Sequence, residues 1–166
     1  MMNEKLKKIL TGIASETFEG LAFMFGFPED DESAFSNENM IFAQVDFEGA
    51  FSGRVVLAVS RSPVEELTAN MLGLEDEETD VSPEDQADAL KETLNVICGN
   101  LLPAIGGKDA VFDIHSPEIL PDATSIGSMP EAGLVSTARL SLEEEPCQLW
   151  LYVNEKDPEA FFKFGD

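Results

Sequence analysis

Two stretches of the chain carry apolar residues at helical spacing. In residues 5–25 they recur mostly three or four positions apart, which predicts an amphipathic helix. A second, longer helix is predicted to begin at Ser82, because a hydroxyl N-cap followed by Pro83 and two acidic residues is a helix start signal. Its apolar positions are Ala87, Leu90, Leu94, Ile97 and Leu101. The glycine pair 106–107 ends this pattern.

Alternating apolar and polar residues predict a sheet that these helices cover. The predicted strands are 40–47, 51–60, 110–114, 133–142 and 146–153. Ser62 followed by Pro63 predicts a short third helix that ends at Gly73. Residues 116–130, with three prolines and a glycine, are predicted as a loop, and residues 158–164 are expected to pack against the body.

Composition then narrows the class of protein. A chain of 166 residues with 43% hydrophobic residues predicts one domain, residues 1–166, with a real core. The formal charge of −23 argues against binding to nucleic acid or anionic membranes. The sequence shows neither a signal peptide nor a run of about eighteen apolar residues that would span a membrane. Cys98 and Cys147, far apart and without CxxC spacing, predict free thiols in a reducing cytoplasm and no Cys/His metal site.

The longer helix carries four unusual residues on the side nearly opposite its apolar face: Asp88, Glu92, Asn95 and Gly99. We call these four the polar stripe and expect them to face water. Asn is a middling helix former and Gly costs about 1 kcal/mol relative to Ala, so their exposure needs a reason. A stretch of helix surface without a side chain, next to Glu and Asn, suits the docking of a partner protein. A plain solvated face of a very acidic protein would show the same pattern.

A short internal repeat links the two long helices. Glu16-Thr17-Phe18-Glu19 in the first matches Glu92-Thr93-Leu94-Asn95 in the second, and paired strands follow each helix. The repeat suggests two related halves.

The residues 88–100 resemble the CheC/CheX family of chemotaxis phosphatases. The family pattern is Asp or Ser, then Glu four residues on, then Asn three further on, which Asp88, Glu92 and Asn95 match; the segments 51–58 and 69–73 also resemble it. The resemblance implies an α+β fold with two long helices on a mixed or antiparallel sheet of about five or six strands, in pseudo-repeated halves. It implies a cytoplasmic enzyme that hydrolyses the aspartyl phosphate of a CheY-like receiver domain.

The resemblance also implies a role for each residue of the polar stripe. Glu92 would pair with the receiver's active-site lysine, and Asn95 would orient the attacking water, because an amide both donates and accepts hydrogen bonds. Gly99 is expected to bind the partner, and Asp88 to line the docking surface or to support the N-terminal half of the helix, without a direct part in hydrolysis. No metal or cofactor is expected on this chain, since Mg²⁺ belongs to the receiver. Family members pair through strands, so a homodimer is possible.

Other interpretations stay open. A catalytically silent module could bind a receiver or a flagellar switch without turnover, although retention of both Glu92 and Asn95 favours the enzyme. An adaptor acting through charge alone predicts binding that collapses with salt whatever these residues are.

Only one active site is expected, since Glu19 places a carboxylate where the second copy has an amide, and the first helix would then serve the core or a subunit contact. The remaining residue expectations are a packed thiol at Cys98, a surface position for His115, and a structural hydrogen bond from Asn100 to the following loop.

Overall fold

The computed structural model describes residues 2–29, 39–74, 81–121 and 133–163, and these form three α-helices and seven strands. The helices are α1 (Met2–Ala22), α2 (Arg61–Leu72) and α3 (Pro83–Gly106). The strands are β1 (Gly26–Pro28), β2 (Met40–Gly49), β3 (Gly53–Ser60), β4 (Phe112–Ile114), β5 (Glu118–Leu120), β6 (Leu134–Leu142) and β7 (Glu145–Val153). A 3₁₀ helix, Pro158–Phe161, follows β7.

The strands form one antiparallel sheet in the order β1-β6-β7-β3-β2-β4, with β5 pairing to β2 further along that strand. The strands β3 and β7 pair at the centre, from Gly53↔Val153 to Val59↔Cys147. A short strand follows each long helix and pairs with the hairpin that follows the other helix. The strand β1, after α1, pairs with β6 of the β6–β7 hairpin, and β4, after α3, pairs with β2 of the β2–β3 hairpin. This reciprocal exchange agrees with the predicted pseudo-repeat and confirms the α+β fold.

The main core lies between the long helices and one face of the sheet. The fully buried positions of α1 recur every four residues: Leu6, Leu10, Ala14, Phe18 and Ala22. Those of α3 include the predicted apolar positions Leu90, Leu94, Ile97 and Leu101. Each fully buried Leu or Phe side chain contributes roughly 1.5–3 kcal/mol. This face of α3 is therefore fixed against the core, and the opposite face is free to meet other molecules.

Helix boundaries differ from the prediction at two places. The helix predicted over 5–25 ends at Ala22, because Phe23 takes a left-handed φ of 54° and its N–H donates to the Glu19 carbonyl. The short helix α2 begins at Arg61, with Ser60 rather than Ser62 at the N-cap. It ends as predicted at Gly73, whose φ is 72°.

Two three-residue strands are additions to the predicted sheet. The loop predicted over 116–130 is wrong at β5, which pairs with β2; residues 122–130 lie outside the described residues. The strand β1 contains Pro28, which is tolerated because β1 lies at the edge of the sheet. In the C-terminal segment Phe162 joins the core as predicted, whereas Phe164 lies outside the described residues.

Candidate functional site

Hydrogen bonds hold both ends of α3, so the helix has a defined position. At the start, the Ser82 hydroxyl accepts a hydrogen bond from the Asp85 N–H at 3.0 Å, as the sequence signal predicts. At the end, the Lys163 N–H donates to the Ile105 carbonyl at 2.7 Å. This second bond ties the C-terminal segment of the chain to the last turn of α3.

The structure exposes all four residues of the polar stripe, as predicted. Between Glu92 and Asn95 lie two buried residues, and one of them, Thr93, donates its hydroxyl proton to the Ala89 carbonyl at 2.8 Å. Within the described part of the chain, the side chains of Glu92 and Asn95 have neither a hydrogen bond nor an ion pair. A carboxylate and an amide one turn apart are thus both available to a partner.

Asp88 is the only residue of the polar stripe with an ion-pair partner among the described residues. Its carboxylate lies 3.8 Å from the Lys91 ammonium, and both side chains are exposed. Exposed pairs of this kind contribute about 0–1 kcal/mol, so a partner could separate the two groups at little cost.

Gly99 is not required by the packing of this chain. A Cβ added at this position would meet nothing within 4 Å. At Gly106 on the same helix, by contrast, an added Cβ would lie 2.9 Å from the ring of Phe112. The packing of the described residues therefore gives no reason for a glycine at position 99, and its partner-binding role stays a prediction.

A groove of about 290 Å³ runs beside the polar stripe, between α1 and α3. We call it the α1–α3 groove. Its lining residues are Ile13, Glu16, Thr17, Gly20, Leu21, Val96 and Asn100. The predicted hydrogen bond from Asn100 to the following loop is not found among the described residues; this side chain is exposed and lines the groove instead. No sequence signal indicated the groove, because it depends on how α1 packs against α3.

The two cysteines are buried free thiols, as predicted. Burial raises the pKa of Cys98 and of Cys147 to about 12, so both are protonated at neutral pH. A buried, protonated thiol is a poor nucleophile, and Cys98 packs in the core at the flank of α3 rather than on its polar stripe.

One group of possible metal ligands is present in the described ranges, away from the polar stripe. The ligand atoms of Glu48, Asp113 and His115 lie within 4.8 Å of one another at the β2–β4 edge. All three side chains are exposed, and His115 is at the surface as predicted. Exposed acidic groups are common without a metal ion, and we assign none here.

Comparison with known proteins identifies the class. The family model "Chemotaxis phosphatase CheX" matches residues 41–125, just over half of the chain, and the match contains all of α3 with its polar stripe. The chain belongs to the CheX family. A search of curated protein sequences finds no significant match.

Solved structures confirm the fold. A chemotaxis protein CheX from Desulfovibrio desulfuricans has a TM-score of 0.69 at 13% identity, with 90% of this chain and 99% of that chain covered. CheX from Borrelia burgdorferi, in a complex with CheY, BeF3 and Mg²⁺, has a TM-score of 0.67 at 19% identity over 89% and 97% of the two chains. CheX from Vibrio vulnificus has a TM-score of 0.69 at 12% identity over 90% and 96%. Of the helices in the described residues, none has both the length and the apolar character to cross a bilayer.

Proposed function

We propose that this protein hydrolyses the aspartyl phosphate of a CheY-like receiver domain. The observation that carries the proposal is the exposed pair of Glu92 and Asn95, one turn apart on α3, inside the segment that the family model matches. The Borrelia burgdorferi relative, in complex with CheY, supports a receiver as the partner of this fold. A catalytically silent module would bind the receiver through the same surface, but that hypothesis does not explain why position 95 carries an amide.

Hydrolysis of an acyl phosphate requires a water molecule in line with the bond that breaks. The water oxygen bonds to phosphorus while the bond from phosphorus to the aspartate oxygen breaks, which gives the aspartate carboxylate and inorganic phosphate. The Asn95 amide oxygen can accept a hydrogen bond from this water, and its NH₂ group can donate to a phosphoryl oxygen. Because such bonds are labile, positioning is the main contribution required of the enzyme.

Glu92 has a different task in this proposal. Its carboxylate has no cationic partner within the described ranges, so it is available to pair with the receiver's active-site lysine. That ion pair would fix α3 over the phosphoryl group and bring Asn95 into register. Asp88 and Gly99, at the two ends of the polar stripe, would contact the receiver on either side of the reacting groups.

The Mg²⁺ ion stays with the receiver in this proposal. The polar stripe offers the carboxylates of Asp88 and Glu92 and the amide oxygen of Asn95, and Asp88 already pairs with Lys91. Because Mg²⁺ is usually held by carboxylates together with water and substrate phosphate, we propose that it enters with the phosphorylated receiver. We place the reaction in the cytoplasm, where unpaired thiols remain reduced. A homodimer is a further proposal from the family resemblance, testable by light scattering.

The deciding experiment is phosphate release from candidate phosphorylated receivers. We expect the wild-type protein to accelerate release from at least one receiver, and Asn95→Ala to remove about 10²-fold or more of that acceleration, as loss of a positioning donor commonly does. Asn154→Ala is the matched control, since Asn154 is exposed and lies beyond β7. Release at the uncatalysed rate, together with tight receiver binding, would favour the silent binding module.

A further inference from the structure

The α1–α3 groove is continuous with the polar stripe. Two of its lining residues, Val96 and Asn100, each come directly after a residue of the stripe, Asn95 and Gly99. The other five belong to α1, at positions 13, 16, 17, 20 and 21, which is the spacing of one helix face. A partner that covers Glu92 and Asn95 would therefore meet this groove as well.

The walls of the groove are mainly aliphatic, and their apolar side chains are incompletely covered. Ile13, Leu21 and Val96 are each only partly buried, so they leave apolar surface open to solvent. Gly20 leaves one side open, and a Cβ added there would meet nothing within 4 Å. The volume of about 290 Å³ lies just below the ~300–1,000 Å³ of typical small-molecule pockets. An open apolar groove of this size suits one protruding side chain of a protein better than a small metabolite.

The charge at the rim indicates the polarity of the partner. Glu16 lines the groove, Glu19 is exposed three residues further along α1, and Glu92 is exposed on α3. The one cation of α3, Lys91, already pairs with Asp88. With a net charge of −23 over the chain, a basic residue is the group that this rim would attract.

We propose that the α1–α3 groove binds an apolar side chain of the receiver domain, flanked by a basic residue that pairs with Glu16. The inference rests on the proposed function, and it adds a determinant of specificity: receivers that lack this apolar and basic pair would bind poorly even with an intact phosphorylation site. The groove contacts the partner and not the reacting atoms, so it changes affinity rather than the rate within the complex.

The test fills the groove and measures affinity and rate separately. The probe is the receiver identified by phosphate release, loaded with BeF3 and Mg²⁺ for binding measurements. We expect Gly20→Leu to raise Kd about tenfold or more, as blocking a central apolar contact does, with the single-turnover rate at saturation unchanged within about twofold. Gly12→Leu is the matched control, because Gly12 is an exposed glycine of α1 that also has open space around it and does not line the groove.

A second variant tests the charge. Glu16→Ala should raise Kd about threefold to tenfold at low salt and make binding less sensitive to salt. Unchanged affinity in Gly20→Leu, with hydrolysis still lost in Asn95→Ala, would overturn the groove proposal and leave the proposed function standing. A change of oligomeric state in Gly20→Leu, with receiver affinity unchanged, would also overturn it and assign the groove to a second copy of the chain. If no receiver is hydrolysed or bound, both proposals fail together.

Discussion

The carboxylate and the amide of the polar stripe contact different parts of the proposed complex, so substitutions should separate them. Glu92→Ala removes an ion pair with the receiver and should weaken binding and turnover together. Asn95→Ala should leave binding to the BeF3-loaded receiver within about threefold while lowering the single-turnover rate about 10²-fold or more. Calorimetry beside rapid-quench hydrolysis measures both quantities, and Glu159→Ala, at an exposed site beyond β7, is the control. Wild-type behaviour of both variants would contradict the assignment.

Gly99 offers a prediction in which stability and function move in opposite directions. Because an added Cβ meets nothing, Gly99→Ala should raise the free energy of unfolding by about 1 kcal/mol through helix propensity. The same methyl group would stand between α3 and the receiver, so binding should weaken. Gly12→Ala, at an exposed position of α1 with equally open surroundings, should give the same stabilisation with unchanged binding. Urea denaturation and calorimetry on both variants check this, and a destabilised Gly99→Ala would refute it.

The buried thiols predict how stability depends on alkaline pH. Each thiol has a pKa of about 12 in the folded protein and about 9 as its ordinary value, so the folded state holds its protons more tightly. The resulting stabilisation is complete below about pH 9 and is lost as the pH rises towards 12, at up to about 1.4 kcal/mol per pH unit for each thiol. The Cys98→Ala/Cys147→Ala variant should show a shallower alkaline decline in urea denaturation, with turnover at neutral pH within about threefold of wild type. Equal slopes for the two proteins would exclude this linkage.

The helix α1 repeats the side-chain hydrogen bond and the exposed glutamates of α3, but it does not repeat the amide and the glycine of the polar stripe. Thr17 donates its hydroxyl proton to the Ile13 carbonyl at 2.7 Å, as Thr93 does to Ala89, and Glu16 and Glu19 are exposed. The repeat aligns Gly99 with Phe23, however, whose side chain is 81% exposed just beyond the end of α1. The first copy thus carries a carboxylate in place of the amide and a bulky ring in place of the bare backbone.

This asymmetry predicts one active site for each chain. Calorimetric titration should give one receiver bound per chain. Glu19→Asn in the Asn95→Ala background should restore no hydrolysis, because the exposed Phe23 ring still obstructs the approach of an aspartyl phosphate to position 19. The same double variant with Phe23→Gly tests whether the ring is the remaining obstacle. A stoichiometry of two receivers per chain would contradict the prediction.

The features predicted from sequence are those with local causes. The helical spacing of α3 and the Ser82 cap each depend on residues a few positions apart, so the amino-acid pattern alone suffices to predict the polar stripe. The strands β1 and β5 could not be predicted in this way, because each has only three residues, too few for an alternating pattern, and only its pairing with a distant strand defines it. The α1–α3 groove was missed for the same reason, since its walls are about 80 positions apart in the chain.

Across the whole molecule, 33 acidic residues against 10 basic ones create a negative field that any receiver meets before contact. The reciprocal pairing of β1 with β6 and of β4 with β2 ties the two halves into one sheet, so the α1 and α3 surfaces keep a fixed relation to each other. For a receiver that presents the basic residue proposed above, the negative field should speed the encounter, and the polar stripe with its groove should decide how long the complex lasts.

Salt separates these two contributions, and with them the proposed enzyme from an adaptor that works through charge alone. Raising the ionic strength from about 0.1 M to about 1 M shortens the screening length from about 10 Å to about 3 Å, so the association rate should fall for every variant alike. Salt screens a close ion pair at Glu92, which the receiver partly shields from solvent, less than it screens the long-range field. The weaker binding of Glu92→Ala relative to wild type should therefore persist at about 1 M, whereas any effect of Glu159→Ala should vanish. Surface plasmon resonance at both salt concentrations measures these ratios. If Glu92→Ala and Asn95→Ala match the wild type at each concentration while binding collapses with salt, net charge alone holds the partner.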